Sequence, residues 1–316
     1  MLQIYFLFLI KDNFSNLKIW KNYFKNAYNY QIIIHPKKYK NNYLDLNEIV
    51  LYPIETKWGD ISLVDAEIYL LKKALAISKS SKSYLILLSD DSIPIHSYNK
   101  FYKFLNSKTL SFFNYSRYLL GSTKYKEFTF SSQFFCVNNK DAQIVVNNYQ
   151  KYRDKILNFK NIYSPDETFM LSILFYENKN YQFHDRIITQ PIRFYYRKTI
   201  PEIDNLIENI RNLKYNLFQL KENNSISFDQ NNALESLNRL KLYANSHPFT
   251  FLYNEKLVNK FKELLPESFF MRKIVSKHDN KYYFKYEDIN KLESFIANND
   301  YINISKYINK AINIKN

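Results

Sequence analysis

The segment YLILLSDDSIPI, Tyr84 to Ile95, sets an unbroken apolar run directly against Ser89, Asp90, Asp91 and Ser92. Apolar runs of four to eight residues bounded by turn formers read as strands covered on both faces, the pattern of a parallel sheet. In open α/β sheets, ligands collect at the carboxyl ends of such strands. The chain is thereby directed to a layered α/β fold, with adjacent carboxylates at the edge where a ligand would sit.

The flanking sequence supports this reading. The run Ile4 to Ile10 predicts a first buried strand. Phe14, Leu17, Trp20, Phe24 and Ala27 then recur at helical spacing, and YQIIIHPKK predicts a second strand. SLVDAEIYLLKKALAIS, from Ser62, opens with Ser62 three residues before Asp65, as in a capping box, and carries an apolar face of Leu63, Ala66, Leu70, Ala74 and Leu75. SIPIHSYNKFYKFL predicts a loop and a short helix, and FTFSSQFFCVNNKDAQIVVNNY a strand, a turn and a helix. In YSPDETFMLSILFY, Ser164, Pro165 and Glu167 mark a helix start. Residues 203–232 read as a long helix plus an irregular linker, and EDINKLESFIANN and INISKYINKAI as short helices of a tail.

Composition excludes several classes of function. Gly59 and Gly121 are the two glycines, so neither a Walker loop nor a dinucleotide-binding glycine fingerprint can be built. Cys136 is the single cysteine, which leaves no internal disulfide and no cysteine metal cluster. His35, His96, His184, His247 and His278 lack the paired spacing of a zinc site, and a GxSxG nucleophile elbow is missing. Lys plus Arg number 45 against 30 Asp plus Glu, a formal +15 that would attract phosphates, acidic glycans or membrane surfaces. The lysines are spread along a chain rich in Asn, Ile and Tyr, so AT-rich coding accounts for much of the excess. MLQIYFLFLI is too short to span a bilayer and has no basic leader, so the expectation is a cytoplasmic protein with no membrane span, open to association through a membrane-bound partner.

Taken in order, FLFLIKDNFSNLKIWKNYF, YQIIIHPKK, KWGDISLVDAEIYLLKKAL, YLILLSDDSIPI, SSQFFCVNNKDAQIVV, SPDETF, SHPFTF and FFMRKI resemble the successive blocks of the core-2/I-branching β-1,6-N-acetylglucosaminyltransferase family. That family, glycosyltransferase family 14, also holds protein xylosyltransferases and a plant branch. The resemblance runs from about Ile4 to Ile274 and rests most on the Trp58, Gly59, Ser62, Ala66, Glu67 pattern and the Pro165, Asp166, Glu167 triplet. It implies a GT-A-type fold, a Rossmann-like mixed sheet flanked by helices, over residues 1–275, with a helical extension over 276–316. It also implies inverting transfer from a UDP-sugar to a glycan or glycoprotein hydroxyl, with no essential metal; separately, no nucleic-acid partner is expected, the competing case being a continuous basic face built from the +15 charge.

Such transfer needs a base for the acceptor hydroxyl and positive charge for the departing diphosphate. Glu167 matches the family's base; the structural alternative is that Ser164 and Glu167 form a capping box. Arg272 and Lys273 match its diphosphate-binding pair, where Arg forks onto two oxygens and Lys acts as a point charge. Trp58 and Gly59 match the block beside the donor sugar; Trp58 could equally be core. Ser132, Gln133 and Phe134 match an acceptor-side block, although Gln133 could equally be a buried strand amide. His35 lies in a block near the uracil, in which Lys37 replaces the acid usual in the animal branch. Ser89 and Asp90 would line the donor site. Asp90 and Asp91 are loop carboxylates on the metal-free reading, or ligands to Mn²⁺ or Mg²⁺ on the alternative one. The donor expected first is UDP-N-acetylglucosamine, then UDP-xylose; the competing function is an inactive glycan-binding or scaffold protein on the same fold.

Overall fold

Three parallel strands form the centre of the protein. In the computed structural model, which describes residues 1–11, 13–115, 129–158, 164–185, 188–191, 201–246, 251–264, 268–275 and 286–312, β1 (Gln3–Ile10) pairs in parallel with β2 (Tyr30–Pro36) and with β4 (Ser83–Ser89). Gly121, His247, His278 and most of the SHPFTF block lie outside the described residues. By internal contacts the chain divides into a first unit, Met1–Gln190 with Glu267–Phe270, and a second, Pro191–Pro266 with Met271–Asn316.

In the first unit, β3 (Ile49–Val50) extends the parallel set beyond β2. On the other side lie β6 (Phe112–Phe113), β7 (Cys136–Asn138) and β8 (His184–Asp185), giving a seven-stranded sheet in the order β3-β2-β1-β4-β7-β6-β8. β7 runs antiparallel to β4, so the sheet is mixed, as expected. A short β5 (Ile93–Pro94) follows β4.

Register explains why β1, β2 and β4 are apolar throughout. Phe6 stands beside Ile32 and Ile86, and Leu7 beside Ile33 and Leu87, so alternate residues form aligned rows on opposite faces. Phe6, Ile32 and Ile86 meet Trp20 and Phe24 of α1 (Leu17–Phe24), Phe101 and Leu105 of α3 (Tyr98–Asn106), and Phe269 and Phe270. Leu7, Ile33 and Leu87 meet α2 (Ile61–Ile77), α4 (Asn139–Asn158) and α5 (Phe169–Glu177). Phe269 is held by backbone bonds at 3.0 Å, its carbonyl accepting from Ile95 N and its N–H donating to the Ile188 carbonyl.

Local signals are corrected in three places. The cap of α2 is Asp60, whose carboxylate accepts from Ser62 N at 2.9 Å, whereas Ser62 Oγ accepts from Lys57 N; Asp65 instead takes Arg153 of α4 at 2.8 and 2.9 Å and Tyr149 OH at 2.8 Å. A side chain two residues upstream thus outcompetes the hydroxyl for the first free N–H groups. The helix expected from Ser164 begins at Phe169, because Pro165–Glu167 is a 3₁₀ turn. The irregular linker is a short turn between α6 (Pro201–Glu222) and α7 (Phe228–Ser246), closed by Ser225 N donating to Leu220 O at 2.8 Å.

The chain crosses between units within β9 (Thr189–Pro191) and β11 (Phe270–Arg272). In the second unit α6 and α7 pack with α9 (Tyr286–Ala297) and α10 (Tyr301–Ile312), the two tail helices, and β10 (Phe251–Leu252) pairs in parallel with β12 (Ile274–Val275), with α8 (Glu255–Leu264) between them in sequence.

Because Leu87 is fully buried at the sheet centre, Leu87→Ala should destabilise the protein by about 2–5 kcal/mol through lost contacts and a residual cavity. A urea midpoint unchanged from the wild type would show that this row is not tightly packed.

Candidate active site

The parallel strands end together, and their ends are tied to one another. Asp90 accepts Lys11 N on Oδ2 at 3.3 Å and Ser15 N on its carbonyl at 3.3 Å, while Lys37 N donates to Ile10 O at 2.7 Å. Ser89 Oγ donates to Asp91 Oδ1 at 2.5 Å, and Ser92 Oγ accepts from Ser89 N at 3.2 Å. Trp20 Nε1 anchors the same loop by donating to Ser92 O at 3.0 Å. Asp90 and Asp91 thus brace the turn that closes β4. Each carboxylate is half-buried, and no group of three or more His, Cys, Asp or Glu suited to a metal ion occurs among the described residues.

Beside these ends, Trp58 is 78% exposed, which rules out the core reading. Gly59 follows with φ 70°, at the turn in which Asp60 N donates to Lys57 O. That left-handed backbone favours glycine and presents Trp58 just ahead of α2. His35 is buried at the end of β2; its Nε2 accepts from Ile54 N at 3.1 Å and its ring lies edge-on to Tyr69. Burial lowers its pKa, and an accepting Nε2 requires the neutral ring with its proton on Nδ1. The imidazole therefore fastens the segment leading to Trp58, and Lys37 beyond it is exposed.

The acidic turn is joined to the SSQF segment by main chain. Glu167 O accepts from Ser131 N at 2.8 Å, and Ser132 N donates to Asn114 O at 2.9 Å. Ser132, Gln133 and Glu167 are half-buried and Phe134 is buried. The Ser164 hydroxyl makes no cap bond, so half of the expected capping box is not built. Gln133 Nε2 donates at 2.8 Å to Oε1 of Glu67, a fully buried carboxyl on the inward stripe of α2 between Val64 and Leu71. Burial, then the nearby Asp166 charge, push the Glu67 pKa well above the usual carboxylate range, against which the Gln133 bond acts. In the sequence Glu67 is part of the Trp58, Gly59, Ser62, Ala66, Glu67 pattern and not a predicted site residue. The available signal was an acid at the 3.6-residue period of an otherwise apolar face.

The first unit thus brings Glu67, Gln133, Ser131, Asp166 and Glu167 into one cluster. Arg272 ends β11 and Lys273 follows it, both half-buried and both in the second unit.

A mixed sheet with braced polar loops at its parallel strand ends, and an acidic turn packed on the adjoining helix, is an α/β architecture of the kind in which ligands sit at those ends. The profile of the Core-2/I-Branching enzyme family matches residues 4–195, well over half of the chain. The chain belongs to the Core-2/I-Branching enzyme family and is a glycosyltransferase, which implies a sugar donor and an acceptor. The match contains every site residue above except Arg272 and Lys273. No curated protein matches the chain in sequence. Among solved structures, one of an active-site mutant of LgtC is similar over 54% of this chain and 70% of that chain, at 9% identity and a TM-score of 0.35. No described helix is long and apolar enough to cross a membrane.

His35 supplies a pH test. The unfolded ring gains a proton below about pH 6.5 while the buried ring resists it, so stability should fall as pH drops from there towards the lowered folded value. His35→Gln should flatten that slope in thermal melts between pH 7 and 5; an unchanged slope would place the acid sensitivity elsewhere.

Proposed function

We propose that this protein is an inverting glycosyltransferase that moves N-acetylglucosamine, with xylose as second choice, from a UDP-sugar to a hydroxyl of a glycan or glycoprotein. Glu167 removes the acceptor proton as the oxygen attacks the anomeric carbon, and the bond to the diphosphate breaks on the opposite face of the sugar, leaving a β linkage. Arg272 and Lys273 receive the charge that develops on the departing UDP. Trp58 offers an aromatic face to the donor sugar at the Gly59 turn. Ser132, Gln133 and Phe134 form the acceptor side, and Ser89, Asp90 and His35 frame the nucleotide side.

The observation that carries this reading is the Pro165–Glu167 turn, which lies within the family match and is bonded to Ser131 of the acceptor segment. Asp90 and Asp91 are already engaged in bracing the loop after β4. This favours a reaction without Mn²⁺ or Mg²⁺; in the alternative, one of these aspartates and the phosphate oxygens would hold the ion.

The test is thermal stabilisation by a panel of UDP-sugars, in EDTA and in Mn²⁺, followed by transfer assays. A ligand that binds the native state alone raises the melting temperature. Stabilisation in EDTA is expected, and the sugar giving the largest shift names the donor. Glu167→Gln should keep the shift while kcat falls by about 10²–10⁴-fold; Arg272→Ala/Lys273→Ala should lose it. Stabilisation that requires Mn²⁺ would restore the metal reading, and no stabilisation by any nucleotide would leave a non-catalytic protein on this fold.

A further inference from the structure

Glu67 is a chemical anomaly in the first unit. It is fully buried among the apolar residues of α2, yet it pairs with no cation among the described residues. Oε1 accepts one bond, from the neutral amide of Gln133 at 2.8 Å, and Oε2 is buried without a hydrogen bond to any described residue. An ionised carboxylate with one neutral donor is costly in such a place, so the group is held as the acid. In that form Oε1 is its acceptor and Oε2–H a donor, on a helix packed against the Pro165–Glu167 turn.

We propose that Glu67 is a positioning residue for the transfer reaction: its protonated carboxyl fixes the Gln133 amide on the acceptor side and keeps a second negative charge away from the Asp166–Glu167 turn. The proposal rests on the transferase reading above. It differs from a purely structural role because the function depends on the proton. Loss of that proton would leave a buried carboxylate facing Asp166, and the turn and Gln133 would both have to move.

Among the described groups around α2, Arg153 and Tyr149 of α4 bind Asp65, His35 of β2 meets Tyr69, and Tyr5 of β1 and Tyr152 of α4 are buried in the core. Asp166 of the turn is the charge that acts on Glu67. The folded state holds this proton more tightly than the unfolded chain. The resulting stability is complete below the usual glutamate range and is lost as pH rises towards the raised value.

The experiment compares the wild type with Glu67→Gln, which mimics the protonated acid in shape and bonding, and with Glu67→Met, which fills the space without the polar contact. Transfer rates and melting temperatures are measured from pH 5 to 9. Glu67→Gln should keep kcat within about twofold at pH 6 and should extend activity and stability to higher pH than the wild type. Glu67→Met should fold, keep the donor KM, and lose kcat by about tenfold or more, a loss equivalent to a single broken positioning contact. A Met variant as active as the wild type, or a Gln variant with an unchanged pH profile of both rate and melting, would overturn the proposal. A wild type that transfers no sugar under conditions where Glu67→Gln still melts higher than it at alkaline pH would instead overturn the transferase reading, and the positioning role with it.

Discussion

Burial of β1, β2 and β4 on both faces is the constraint from which the arrangement of the first unit follows. Because Phe6, Ile32 and Ile86 look one way and Leu7, Ile33 and Leu87 the other, a polar side chain in the middle of the strands would lose contacts on one face. Polar chemistry is displaced to where the strands stop. The braces among Lys11, Ser15, Lys37 and Asp90 then serve a definite purpose: they satisfy main-chain groups released at those ends and give the strand ends a fixed shape.

The fold was legible because its signals are local. Apolar runs of strand length, the helical spacing of Phe14 to Ala27 and the tail helices are all visible within short windows. The caps were less so, since Asp60 and Ser62 are both good cap residues and only the backbone path chooses between them. Likewise, Ser164 and Glu167 have the right spacing for a box, but Pro165 and the bond from Ser131 select a 3₁₀ turn. Exposure of Trp58 could not be read from its type, because tryptophan suits a core and a sugar face equally well. Glu67 was hidden for a deeper reason: the groups that act on it, Gln133 and Asp166, are far away in sequence, and no window contains all three.

Helix α2 shows how one element can carry two acids in opposite roles. Asp65 sits at the half-buried boundary with α4, where Arg153 and Tyr149 converge on it; Glu67, two residues later, lies on the inward side with an amide for company. A step of two residues turns the side chain through about 200° around a helix, so these two carboxyls meet unrelated surroundings. The first fastens two helices together, and the second lies where their packing meets the acidic turn.

The two tryptophans divide the protein's intrinsic fluorescence into separate reports. Trp20 is sealed beneath the sheet, stacked on Phe24 and Phe270 with its indole N–H fixed to Ser92, whereas Trp58 stands in solvent at the Gly59 turn. Emission from Trp20 follows the integrity of the layered core, and emission from Trp58 follows the water around the strand ends. Collisional quenchers reach the second and not the first, so changes at the Gly59 turn and unfolding of the core can be followed in one unlabelled sample as two distinct optical signals.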